Sequence, residues 1–197
     1  MHYLFQQLLL NGSYFDAFIL LKTNIYKPLY ATENKIQAVI FKKIKKAFKN
    51  KKYVFVKKAI RLESFRLDFN FDMMLALWAK NNDLRFENKS TFVGQLFKLN
   101  NIPIFKTYID YIATNLKDIF YMGNLDFFFS LKGDVGPAHI DPEHVIILGI
   151  KNVTYYHIDD NDLKIEPGDI LYIPKGFLHH AFSSRERIVL SLSLWEK

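Results

Sequence analysis

His139-Ile-Asp141 is the most informative stretch of the chain, together with Pro167-Gly-Asp-Ile-Leu-Tyr-Ile-Pro174 and the histidine pair that begins at His179. Alternate residues of a β-strand share a face, so His139 and Asp141 are expected to point to one side of a sheet. Pro167-Gly-Asp predicts a turn, and the apolar run after it predicts a short buried strand that Pro174 ends. A strand that re-enters after this break would bring His179 towards His139 and Asp141.

The three side chains supply two imidazoles and one carboxylate, which is the ligand set of a mononuclear non-haem iron site with open coordination positions. Structural zinc sites differ, because they usually close four positions with cysteine or histidine. The chain contains no cysteine, which excludes thiolate sites and disulfides. The pattern therefore predicts an open metal site; the alternative is a degenerate site that keeps only the fold.

The C-terminal part of the chain resembles the Jumonji C (JmjC) group of the cupin superfamily, in particular the asparaginyl hydroxylase that restrains hypoxia-inducible factor and the ribosomal oxygenases. The likeness is carried by Val135-Gly-Pro-Ala-His-Ile-Asp141, by Pro167 to Pro174, by His179-His180 and by Leu194-Trp195. The resemblance implies an α+β, mainly β protein: a double-stranded β-helix (cupin or jelly roll) with a helical N-terminal part.

The resemblance also implies Fe(II) held by His139, Asp141 and His179, and 2-oxoglutarate-dependent hydroxylation of a C–H bond. The family's spacing from Pro174 selects His179 rather than His180 as the distal ligand. No catalytic residue is expected beyond the metal ligands, since the metal and its co-substrate carry the difficult chemistry.

One position departs from the family pattern. Where these hydroxylases have a Lys or Arg that pairs with the distal carboxylate of 2-oxoglutarate, this chain has Thr154. Strand parity makes Arg187 the best replacement, and Ser193 stands on the same face where the family has an inward Asn. Arg187 has a second interpretation, a solvated residue at the start of a strand. Thr154, Arg187 and Ser193 are the candidate co-substrate contacts.

The substrate is expected to be a protein or peptide side chain or a small metabolite. His144 follows Asp141 closely and, with Trp195, is a tentative substrate contact. The alternative for His144 is a surface or structural histidine.

Basic and acidic residues are distributed unevenly along the 197 residues. Residues 1–102 hold 18 Lys and Arg against 7 Asp and Glu, whereas residues 103–197 hold 9 against 13, so the basic character belongs to the first half. We predict a basic, mostly helical region over 1–102, packed on a barrel core formed by 103–197 as one compact unit. No apolar run is long enough for a membrane span and no signal peptide is recognised, so a cytoplasmic location is the default expectation.

Periodicity predicts helices and strands in different parts of the chain. Apolar residues at intervals of three or four predict helices over 33–52, 72–80, 91–98 and 105–120, and 53–56 is β-rich. Short strands are predicted over 125–131, 139–150, 153–158, 163–165, 170–173 and 187–195. The triple phenylalanine Phe127-Phe-Phe129 is interpreted as barrel core rather than a substrate platform.

The basic helix carries a cluster of lysines between Lys42 and Lys52. Such a cluster can attract RNA or an anionic membrane, but the simpler interpretation is a solvated helix face, because arginine and aromatic-basic motifs are scarce. The first half of the chain is expected either to form a homodimer or to cover the active site. Two other functions remain open: a metal-dependent cupin enzyme that does not use 2-oxoglutarate, and a non-catalytic cupin module whose basic helix binds nucleic acid.

Overall fold

The structure is a computed structural model that describes residues 31–65, 84–88, 91–96, 100, 103–130, 133–134 and 138–197. Apart from the first residue of α1, all of these lie in the compact unit Thr32–Lys197. The helices are α1 (Ala31–Lys49) and α2 (Pro103–Leu116), with a 3-10 turn at Leu62–Phe65. The strands are β1 (Val54–Val56), β2 (Leu84–Asn88), β3 (Thr91–Leu96), β4 (Phe120–Ser130), β5 (Gly133–Asp134), β6 (His139–Ile140), β7 (His144–Lys151), β8 (Thr154–Ile158), β9 (Asn161–Ile165), β10 (Ile170–Ile173), β11 (Leu178–Ser183) and β12 (Arg187–Glu196).

The strands form two antiparallel sheets. The large sheet has the order β1-β10-β7-β12-β4-β3-β2, and the small sheet has the order β5-β11-β8-β9, with β6 also paired to β11. A barrel core of apolar side chains from both sheets lies between them and includes Val145, Ile158, Leu171 and Val189. The fold is the predicted mainly β, jelly-roll cupin architecture.

The helices cover the other face of the large sheet. Alternation puts Ile146 and Leu190 on that face, next in sequence to the barrel-core residues of the same strands, and both are fully buried. Phe105 of α2 lies 6.2 Å from Phe127 of β4 between ring centroids. Phe127 and Phe129 are fully buried, so the interpretation of this triplet as core is confirmed.

The predicted basic helix is confirmed as α1, in which Ile40 and Ile44 are buried. Val39, placed by periodicity on the same apolar face, is 52% exposed. The helix predicted over Phe105–Phe120 is confirmed as α2, although Phe120 already belongs to β4.

The helix predicted over 91–98 is wrong. Residues Thr91–Leu96 form β3, whose backbone pairs with β4 from Val93 opposite Ser130 to Leu96 opposite Phe127. Backbone pairing with a long neighbouring strand outweighs the local pattern of a short segment. The helix predicted over 72–80 lies outside the described residues. Strands β1, β2 and β3 join the same sheet as the later strands, so this sheet crosses the boundary predicted at residue 102.

The predicted turn before β10 is present and holds β1 on the barrel. Gly168 has φ of +87°, and an added Cβ would lie 2.5 Å from the carbonyl oxygen of Ile60, so glycine is required there. The buried carboxylate of Asp169 accepts hydrogen bonds from the backbone N–H of Lys58 at 2.7 Å and of Glu166 at 2.9 Å. The Gly-Asp pair is therefore structural.

Candidate metal centre

The three predicted ligands converge at one end of the small sheet. His139 of β6 lies directly opposite His179 of β11, and Asp141 follows β6 immediately. Nε2 of His139 lies 3.7 Å from Oδ1 of Asp141, and Nε2 of His179 lies 3.5 Å from Oδ2. One ligand atom from each residue lies within 4.8 Å of the other two. Donor atoms about 2.1 Å from one ion and at right angles lie about 3 Å apart, so small side-chain rotations would complete the site.

His179 is held in the form that binds a metal. Its Nδ1 lies 3.0 Å from the carbonyl oxygen of Phe177, which can only accept, so Nδ1 carries the proton and Nε2 keeps its lone pair for the site. Burial lowers the pKa of His179 and keeps the ring neutral, with His139 adding to the shift and Asp141 opposing it. A ligating histidine whose other nitrogen donates to a carbonyl is the usual arrangement in metal proteins.

The exposure of the three ligands falls from one side of the site to the other. The side chain of His139 is 55% exposed, that of Asp141 26% and that of His179 5%. The site is therefore open towards His139 and closed towards His179. His180 has the opposite strand parity, and its ring lies beside His157, 5.3 Å away between centroids.

Arg187 lies inside the barrel, not in solvent. It is 1% exposed, and its neighbour in parity, Val189, belongs to the barrel core. Its Nε donates to Ser130 Oγ at 3.2 Å and its Nη1 donates to Thr154 Oγ1 at 3.4 Å, and it also hydrogen-bonds Tyr156. Among the described residues, Arg187 has no carboxylate partner. Burial lowers the pKa of the guanidinium, and Tyr156 opposes this shift.

Tyr156 connects Arg187 with the metal ligands. Its ring lies 6.4 Å from that of His179 between centroids. Its hydroxyl group interacts electrostatically with both Arg187 and Asp141. Burial raises the pKa of Tyr156, so the hydroxyl stays protonated. Neither Tyr156 nor Ser130 was recognised from the sequence. Tyr156 has the parity of Thr154, two residues earlier, which was the one signal available.

The remaining predicted contacts belong to β7 and β12. Ser193 Oγ donates to a carboxylate oxygen of Glu143 at 3.2 Å, and Trp195 is 48% exposed opposite Tyr121 of β4. His144 is 4% exposed. Its ring packs between Phe48 and Phe120 on the helix-covered face of the large sheet, so the structure does not bring it to the three ligands.

One lysine of α1 lines a groove. Lys43 of α1 and Lys57 and Lys58 after β1 surround a cavity of about 340 Å³ with an apolar floor that includes Val56 and Ala59. Lys45 forms an ion pair with Asp118 at 2.8 Å.

Comparison with known proteins supports the resemblance in fold. The profile of the JmjC domain family matches residues 150–197, which include Thr154, His179 and Arg187. The ribosomal oxygenase YcfD of Escherichia coli, in complex with cobalt and 2-oxoglutarate, superposes with a TM-score of 0.56 at 18% identity. That match covers 73% of this chain and 48% of YcfD, so the chain spans about half the length of that protein. The YcfD complex with cobalt and succinic acid gives the same values.

A third YcfD structure superposes with a TM-score of 0.55 at 17% identity, again covering 73% of this chain and 48% of that one. No curated protein sequence matches the chain. The JmjC-type cupin resemblance is thus confirmed by the family profile and by the fold.

Within the described part of the chain, none of the helices has the length and apolar character that crossing a membrane requires.

Proposed function

We propose that this protein is an Fe(II)- and 2-oxoglutarate-dependent oxygenase, with Fe(II) on His139, Asp141 and His179. The donor set fits Fe(II), because two imidazoles and a carboxylate face one point and leave further positions open. When bound, Fe(II) and 2-oxoglutarate supply the activation of dioxygen and the oxidation of a C–H bond. The protein orients the ligands and excludes water from the His179 side.

The observation that carries the co-substrate proposal is the buried guanidinium of Arg187. Among the described residues this cation has hydroxyl partners and no carboxylate, and desolvation of one ion costs several kcal/mol. The distal carboxylate of 2-oxoglutarate would pair with it, with Thr154 and Tyr156 as further hydrogen-bond donors. Thr154 stands where the resembled family has its cation, and Nη1 of Arg187 lies against its hydroxyl. In this proposal Arg187 supplies the cation from β12 of the large sheet, whereas the family position, occupied here by Thr154, lies on β8 of the small sheet.

The substrate is proposed to be a protein or peptide side chain, with a small metabolite as the alternative. The name of YcfD, a ribosomal oxygenase, favours the first class. The open, His139 side of the site supports access by a bulky substrate. Because the chain spans about half of YcfD, its activity and partners are proposals in their own right.

The deciding experiment is an anaerobic titration of the Fe(II)-loaded protein with 2-oxoglutarate, followed by the visible charge-transfer band of the chelate. We expect a saturable band that is absent in Asp141→Ala, whose iron binding is lost. Asp162→Ala is the matched control, because Asp162 is an exposed carboxylate that hydrogen-bonds His157. Unchanged iron stoichiometry in both His139→Ala and Asp141→Ala would refute the metal site.

The same titration distinguishes the alternatives. Intact iron binding without a band, and without succinate release, would favour a cupin enzyme that does not use 2-oxoglutarate. Salt-sensitive RNA binding that survives His179→Ala, in a protein that binds no iron, would favour a non-catalytic binding module.

A further inference from the structure

We infer that His144 and Glu196 are positioning residues for the metal centre and act through the turn between β10 and β11, residues 174–177. The inference rests on the proposed function, because it concerns the affinity of the same three ligands for a metal. Neither residue reaches the ligands directly.

The turn contacts two of the three ligand residues. The backbone N–H of Gly176 donates to the carbonyl oxygen of Asp141 at 3.2 Å. The carbonyl oxygen of Phe177 accepts from Nδ1 of His179 at 3.0 Å and thereby orients that ring. A shift of this turn would therefore move Asp141 and His179 together.

His144 and Glu196 contact the same turn through Lys175. Nδ1 of His144 lies 3.4 Å from the backbone nitrogen of Lys175, and Lys175 Nζ lies 2.7 Å from the carboxylate of Glu196. Nε2 of His144 lies 2.9 Å from that same carboxylate. Main chain and side chain of Lys175 are thus bound to one histidine–carboxylate pair.

The hydrogen-bond roles in this network are consistent with a neutral ring. The carboxylate of Glu196 can only accept, so Nε2 carries the proton and Nδ1 accepts from the N–H of Lys175 and from the hydroxyl of Tyr172 at 2.7 Å. Burial lowers the pKa of His144, which favours this neutral form, although Glu196 opposes the shift.

Packing keeps the ring of His144 in place. It lies 5.4 Å from Phe48 and 5.1 Å from Phe120 between centroids, and is nearly parallel to Tyr172 at 9°. The network therefore ties the start of β7 and the end of β12 to the turn that orients the ligands. Residues behind metal ligands tune affinity in this way.

The test compares three variants by Co²⁺ titration, read as dissociation constant and as the visible absorption of the bound ion. His144→Phe keeps the ring packing but removes both hydrogen-bonding nitrogens. We expect its Co²⁺ affinity to fall roughly three- to tenfold, less than the roughly 10- to 100-fold typical of groups that contact a ligand directly. Tyr172→Phe is the control, because it removes a hydrogen bond to the same imidazole but leaves the bond to Lys175 in place.

A folded His144→Phe with wild-type Co²⁺ affinity would overturn the inference, as would an equal loss in Tyr172→Phe, which would indicate general packing. If His144→Phe does not fold, the exposed end of the network serves instead. Glu196→Ala should weaken Co²⁺ binding, and Glu196→Gln, which keeps an oxygen acceptor, should weaken it less. If both variants bind Co²⁺ with wild-type affinity, the inference is refuted. Absence of Co²⁺ binding by the wild-type protein would instead refute the proposed function.

Discussion

Arg187→Met is expected to weaken 2-oxoglutarate binding much more than folding stability, because we propose that the buried guanidinium pairs with the carboxylate of that co-substrate. The side chain is 1% exposed and bonds Ser130, Thr154 and Tyr156, with no carboxylate partner among the described residues. Truncating one partner of a buried charge pair costs about 3–5 kcal/mol. At about 1.4 kcal/mol per decade, the affinity for 2-oxoglutarate should fall roughly 100- to 4,000-fold.

The stability of the metal-free protein should respond differently. Replacing a buried charge by an apolar side chain of similar volume is often neutral or stabilising by about 1–4 kcal/mol. Three hydroxyl groups lose a partner at about 1–3 kcal/mol each if they stay unpaired. Because these contributions oppose each other, the change in the free energy of unfolding is only their difference, whereas no gain offsets the loss of binding free energy.

The assay is the Fe(II) charge-transfer titration, paired with thermal unfolding with and without 2-oxoglutarate. Wild type should gain thermal stability on addition of 2-oxoglutarate, and Arg187→Met should not. Arg185→Met is the matched control, since Arg185 is exposed in the turn before β12. An Arg187→Met protein that binds 2-oxoglutarate within threefold of wild type would refute the assignment of Arg187.

Three further outcomes are expected. Leu190→Ala should lower the free energy of unfolding in urea by about 2–5 kcal/mol, because Leu190 is fully buried in the central strand β12; Leu178→Ala, at a 54% exposed position, should cost far less, and equal effects would contradict this view of the core. The metal-free protein should lose stability as the pH falls below about 6.5, because burial holds the pKa of His144 below its ordinary value and the unfolded chain then binds more protons than the folded one. The free energy of unfolding of His144→Phe, measured in urea, should depend less on pH over that range. Exchanging the exposed Lys42 and Lys43 for Gln should leave iron binding unchanged. If the wild-type protein binds RNA in a salt-sensitive manner in a filter assay and the exchange weakens that binding, the interpretation of α1 as a solvated face is contradicted.

The three candidate ligands could be predicted because their signal is local. His139 and Asp141 are two residues apart, and the Gly-Asp turn and Pro174 mark the path by which the chain returns to His179. The helix wrongly predicted over 91–98 shows the limit of such signals. Six residues of β3 fit either period, and only their pairing with β4 selects the strand.

His144 illustrates a second limit. Its proximity to Asp141 in sequence indicated a place near the metal, but alternation along β7 turns its side chain to the helices while Val145 enters the barrel core. The strand continues past the ligands with its own parity, and three residues of sequence separation do not imply a shared cavity. The residues that surround the three candidate ligands therefore depend on how the strands pair, which local sequence does not show.

Local sequence was enough to predict the two imidazoles and the carboxylate, the turn that returns the chain to His179, and the basic character of α1, because these depend on neighbours in the chain. It left Arg187 undecided between solvent and barrel. The answer depends on long-range packing: the large sheet packs against the small one and buries Arg187 beside Thr154 and Tyr156, residues of the facing sheet. The interactions of a buried charge depend on the groups that surround it, and those groups come from distant parts of the chain.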